Sequence, residues 1–199
     1  MPPELPELVV PDSAAWRAWL EANHATADGV WLALAKKGGT VTSLTYEEAV
    51  LEALCFGWID GQARSRDAET SAQRMTPRRA RSRWSALNVQ RVGRLEAEGR
   101  MTGAGRAQVL AAQADGRWEA AYAGPATIET PPDLLAALAA EPRAQAWWDA
   151  LTSGNRFAIL YRIHSVKRTE TRERKIREFV ADLAEGRTPH PQKKRPEGL

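Results

Sequence analysis

Five arginines fall within ten residues, at Arg74, Arg78, Arg79, Arg81 and Arg83, and no acid interrupts them. Like charges set this close repel one another, and an anion that bridges them relieves that repulsion. Guanidinium groups do this well because each can present two parallel N–H donors to a phosphate or carboxylate. Pro77 restricts the chain just before Arg78 and Arg79, which limits the entropy lost on binding. Trp84 follows directly, with a face that could stack on a guanidinium or on a base. Ser85 reads as a helix cap, and a helix N-terminus is itself attractive to anions. The chemistry expected of Arg74 to Trp84 is anion binding, set against the alternative of a solvated loop whose arginines pair with acids elsewhere.

Lys36 and Lys37 close an apolar run that starts at Gly29 and are further anion-binding candidates, or exposed lysines at a strand end. Gly57-Trp58-Ile59-Asp60-Gly61 sets a bulky pair and an acid between two glycines. Trp58, Asp60 and Trp84 are therefore candidates to line a cleft, with core packing the competing role for both tryptophans. Templates for other chemistry are missing. His24, His164 and His190 lack the spacing of metal ligands, so no metal is expected. There is no Gly-x-Ser-x-Gly elbow, no P-loop and no dinucleotide fingerprint, so no cofactor is expected. Cys55 is the only cysteine and sits in an apolar run, as a buried small hydrophobe would.

The elements that must position these residues can be read from periodicity. Ser13 is placed as the cap of a helix to about His24, with Trp16, Trp19 and Leu20 on one face. Gly29 to Lys36 reads as a strand that Gly38-Gly39 ends. Thr45 and Glu48 form a capping box for a helix that stops near Gly57. Trp58 to Gln62 and Ser71 to Met75 read as a hairpin across polar residues 64–70. From Ser85 the pattern is helical, with breaks near Gly99, Asp115-Gly116 and Ser153-Gly154. Helices then cover Arg156 to Ser165 and Thr169 to Glu185.

The expected fold is α+β, a small antiparallel sheet in the N-terminal half packed with helices and a helical C-terminal half. The expected division is an extended lead-in at 1–11, an α+β core at 12–122, a loop at 123–131, a helical part at 132–186 and a basic flexible tail at 187–199.

The charge supports local basic faces over a generally basic protein. The net charge is +3, yet Arg64 to Arg106 holds eleven arginines against four acids. The N-terminus is acidic and proline-rich, unlike a signal peptide, and no run approaches the roughly 18 apolar residues of a membrane span. A cytoplasmic location is expected. The sequence says nothing of oligomeric state.

One family is recognisable from the order of motifs. Trp31 to Lys37, Leu44 to Ala49, Cys55 to Gly61, Thr76-Pro77-Arg78-Arg79, Trp84-Ser85, Gly99 to Thr102 and Lys167 to Arg172 together resemble the YdeI/OmpD-associated, or bacteriocin-protection, family across about residues 12–190. The resemblance implies a part in resistance to antimicrobial peptides or bacteriocins. It implies no catalytic residues, so none can be carried over. Three functions stay open: a noncatalytic protein that binds an anionic or phosphate-bearing partner, a nucleic-acid-binding protein, and an enzyme acting on an acidic small molecule with Asp60 as acid or base.

Overall fold

The computed structural model describes residues 4–124 and 127–196. Residues 1–3 of the expected lead-in, 125–126 of the expected loop and 197–199 of the expected tail lie outside these. The chain divides into two compact units, Met1–Ala121 and Tyr122–Leu199.

The first unit is α+β. Strand β1 spans Glu7–Leu8, helix α1 Ser13–Asn23, β2 Val30–Ala35, α2 Tyr46–Cys55, β3 Trp58–Ser65, β4 Thr70–Pro77, α3 Ala86–Ala97 and α4 Gly103–Ala114. The four strands form one sheet in the order β1-β2-β4-β3. Three of them are antiparallel as expected. The fourth, β1, runs parallel to β2, with Glu7 opposite Trp31. The sheet is therefore mixed, because part of the presumed lead-in pairs at its edge.

Local chemistry fixes the helix ends. Asp12, not Ser13, caps α1, accepting a 2.8 Å hydrogen bond from the Ala15 amide. Thr45 and Glu48 form the capping box of α2 in both directions. Ser85 caps α3 and Thr102 caps α4 through the amides of Asn88 and Gly105. The hairpin between β3 and β4 turns on Asp67, whose Oδ1 accepts from the Glu69 and Thr70 amides and from the Thr70 hydroxyl.

Period-two alternation divides the sheet into two faces. Leu32, Leu34 and Met75 point to the face that packs on α1 and α2, and are at most 4% exposed. Trp58 lies in that core, where its ring meets Trp16 and Trp19 edge-on at centroid distances of 6.2 and 5.7 Å. Its indole N–H donates to the His24 carbonyl. Trp31, Arg74 and Thr76 take the opposite, outer face, where Trp31 and Arg74 are cross-strand partners.

The second unit is helical. It contains α5 Pro132–Ala139, α6 Pro142–Ala150, α7 Ser153–His164 and α8 Thr169–Ala184. Its own core gathers Leu134, Leu138, Trp148, Ile159, Ile163 and Leu183. Ser153-Gly154, expected to stop a helix, instead opens α7 behind the cap Thr152. Residues 187–192, read from the sequence as part of a basic flexible tail, are tied back to this unit. Buried Asn155 accepts from the His190 amide and donates to both the His190 carbonyl and Gln192 Oε1. Among the described residues no helix is long and apolar enough to cross a membrane.

Candidate anion-binding site

The arginine run leaves the sheet at the end of β4 and splits into parts with different roles. Arg74 still lies on the strand, half-buried on the outer face. Pro77 ends the strand, and the next residue turns inward. The Arg78 amide donates to the Gly57 carbonyl, and its guanidinium lies 3.6 Å from the ring centroid of Trp84. Arg78 Nη1 also donates to the Arg83 carbonyl at 3.2 Å. Arg78 is only 6% exposed and Trp84 only 1%. Trp84 in turn meets Trp118 edge-on with centroids 4.9 Å apart. Trp84 is thus a core residue that a buried arginine covers, and it offers no free face to a ligand.

The turn beyond is tight. The Arg79 amide donates to Ser82 Oγ at 2.9 Å, and the Ser82 amide returns a bond to the Arg79 carbonyl. This leaves the Arg79 and Arg81 side chains exposed and Arg83 half-buried.

A cleft of about 360 Å³ opens on this part of the first unit, lined by Leu5, Asp28, Arg74, Thr76, Pro77, Arg78 and Arg79. Three of the seven candidate cations meet here. Because Arg78 is packed under Trp84, the groups able to reach a ligand are Arg74 and Arg79. Neither guanidinium makes an ion pair or hydrogen bond among the described residues. That contrasts with other arginines of the unit. Arg17 and Arg100 both bind the buried carboxylate of Glu52, Arg17 at 2.8 Å, while Arg64 and Arg66 both bind Glu7.

The remaining candidates lie elsewhere. Lys36 sits at the other end of the β2–β4 pair, where its ammonium donates to Ser65 Oγ and to the Asp67 carbonyl. Lys37 follows it there, exposed. The β2–β4 register puts Ala35 opposite Thr70 and Val30 opposite Met75, so the two lysines are a strand length from the cleft. Asp60 pairs with Met75 and so lies on the sheet face opposite Arg74, accepting 2.7 Å from the Tyr46 hydroxyl. Burial, then the Asp60 charge, hold the Tyr46 hydroxyl protonated well above its ordinary range. Trp58 is in the hydrophobic core, 1% exposed.

Leu5 and Asp28 join the cleft through strand pairing between distant segments, which spacing along the chain does not show. Gly29 marks the place: it sits at φ +145°, and a Cβ there would lie 2.7 Å from the Met75 carbonyl oxygen and 2.9 Å from Leu5. Only glycine lets the chain pass so close to β4 and bring Asp28 to the cleft. Among the described residues no three His, Cys, Asp or Glu side chains gather where they could hold a metal ion.

The sequence of the first unit places the chain in a family: residues 8–108, half of the chain, match a domain of unknown function, DUF8412, and the chain belongs to that family. Residues 127–186, in the second unit, match the family described as bacteriocin-protection, YdeI or OmpD-associated. The expected resemblance thus falls on the helical unit, whereas the motifs quoted from Trp31 to Thr102 lie within the DUF8412 match. No curated protein and no solved structure matches the chain.

Proposed function

We propose that this is a cytoplasmic, noncatalytic binding protein whose first unit takes an anionic, phosphate-bearing partner in the cleft between Arg74 and Arg79. We further propose that it serves resistance to antimicrobial peptides, bacteriocins or envelope stress. The resistance role rests on the family description of residues 127–186 alone. The observation behind the binding role is the pair of guanidinium groups lining one cleft with no acid bound to either. Other arginines of the unit are tied to acids, whereas Arg74 and Arg79 stay unpaired among the described residues although Asp28 shares their cleft, and two open donors in one concavity are a ready seat for an oxyanion.

The other two readings each lose one support. Single-stranded nucleic acid held by base stacking needs an exposed aromatic platform, and Trp84 is 1% exposed. An enzyme built on Asp60 and Arg74 needs them on one face, and they lie on opposite faces of the sheet.

The test is isothermal titration of the full chain with inorganic phosphate and pyrophosphate, beside the double variant R74A/R79A. Saturable binding that the double variant loses at least tenfold, with its thermal unfolding unchanged, is the expected result. Equal affinity in the two proteins, or no binding at millimolar ligand, overturns the reading.

A further inference from the structure

Resting on the anion-binding reading above, we infer that the ligand is dipolar: a phosphate ester with a cationic group a short chain away, of which an aminoalkyl phosphate is the simplest example. The cleft contains an acid as well as cations. Asp28 is exposed, lines the same concavity as Arg74 and Arg79, and makes an ion pair with neither. In a seat for bare phosphate a carboxylate would be a liability, since it repels the ligand and draws off its donors. In a seat for a ligand with a positive end it supplies the second contact, a charge-assisted hydrogen bond to an ammonium group.

The position of Asp28 is also built. It directly precedes Gly29, whose left-handed backbone carries the chain between Leu5 and the β4 carbonyl of Met75. The acid is therefore held on the wall of the cleft by the entry into β2, and does not hang from a free loop. Leu5 gives the cleft an apolar wall suited to a methylene link, and Thr76 adds a hydroxyl that can donate or accept. The volume, about 360 Å³, is at the small end of ligand cavities, which run from roughly 300 to 1,000 Å³. It suits a short phosphoester better than a dinucleotide or an oligosaccharide.

The experiment compares inorganic phosphate, ethyl phosphate and 2-aminoethyl phosphate by titration calorimetry at pH 8, where the phosphates are dianions and the amine is charged. The full chain should bind 2-aminoethyl phosphate about tenfold more tightly than ethyl phosphate, the scale of one hydrogen bond between charged groups. D28N should abolish that preference and bind inorganic phosphate about two- to fivefold more tightly, because a repelling charge is gone. Asp28 is exposed, so D28N should unfold at the wild-type temperature.

If both esters bind wild type equally, and R74A/R79A loses both, the dipolar ligand is overturned and the anion site stands. If no phosphate binds, both fall. Sedimentation with vesicles of phosphatidylethanolamine in phosphatidylcholine separates two sources of the same chemistry. Co-sedimentation that D28N loses identifies a lipid headgroup, and its absence beside tight binding of soluble 2-aminoethyl phosphate identifies a free phosphoester. Either supports the inference.

Discussion

Replacing Arg78 should cost stability, whereas replacing its neighbours Arg74 and Arg79 should not, although all three line the same cleft. The Arg78 guanidinium lies 3.6 Å from the Trp84 ring centroid and is 6% exposed. A desolvated cation–π contact of this kind contributes about 2 kcal/mol. The hydrogen bond from Nη1 to the Arg83 carbonyl adds about 1 kcal/mol. Arg78→Ala should therefore lower unfolding free energy by about 3 kcal/mol, equivalent to about 6–12 °C in melting temperature. Arg78→Lys should recover little, because an ammonium cannot lie flat on the indole. Arg74→Ala and Arg79→Ala should stay within about 0.5 kcal/mol of wild type, as surface substitutions do. Urea unfolding followed by tryptophan fluorescence measures all four variants, with the midpoint as readout and the slope as a check on two-state behaviour. An Arg78→Ala loss below about 1 kcal/mol would refute the assignment of Arg78 to the core. So would an Arg79→Ala loss of similar size.

Gly105→Ala should destabilise the first unit by about 2–3 kcal/mol or more in the same assay. The added Cβ would lie 2.3 Å from the Cys55 carbonyl oxygen and 2.8 Å from that of Leu54, both backbone, so α2 and α4 would have to part. The Cys55 thiol is 0% exposed, and burial pushes its pKa up. It should be unreactive to Ellman's reagent in the native chain and titrate as one equivalent in urea. In the second unit, Arg172 beside Asp133 holds that carboxyl below its ordinary range. A depressed carboxylate stabilises above its unfolded pKa of about 3.9, and loses that contribution as pH falls through the folded value. Wild type should therefore exceed Asp133→Asn in stability at pH 7, with the gap closing below about pH 4 in a series of urea melts. A gap that persists unchanged at pH 2 would count against the pair.

The capping residues were legible because their chemistry is local. Thr45 with Glu48, and Ser85, each satisfy amides within three residues, so sequence spacing suffices. The cap of α1 was misplaced by one residue since Asp12 and Ser13 are both good caps and only the chain's approach decides between them. Pairing between distant segments was not legible. Nothing in Glu7-Leu8 announces a parallel strand two residues long, which depends on β2 being there to receive it. Asp28 is not legible for the same reason, because it comes to the cleft that Arg74 lines only through the pairing of β2 with β4. Ser153-Gly154 reads as a helix stop, yet Thr152 ahead of it is an N-cap, so the pair falls in the first turn of α7.

The run of arginines shows why charge density alone misjudges a site. Arg74 and Arg78 are four residues apart, and strand parity would place both on the outer face. The strand ends between them at Pro77, and the turn drives Arg78 under Trp84. One arginine of the run therefore anchors the fold while its neighbours face solvent, and the anchor sets where those neighbours stand. Arg79 follows Arg78 directly and is held in the turn by Ser82. A loss of binding in Arg78→Ala would thus report displacement of Arg79 as much as loss of a positive charge. Arg74→Ala and Arg79→Ala, whose side chains contribute little to the packing, isolate the electrostatic part. A binding loss in these two at unchanged stability, beside a stability loss in Arg78→Ala, is the pattern that distinguishes a built anion seat from a chance crowding of charge.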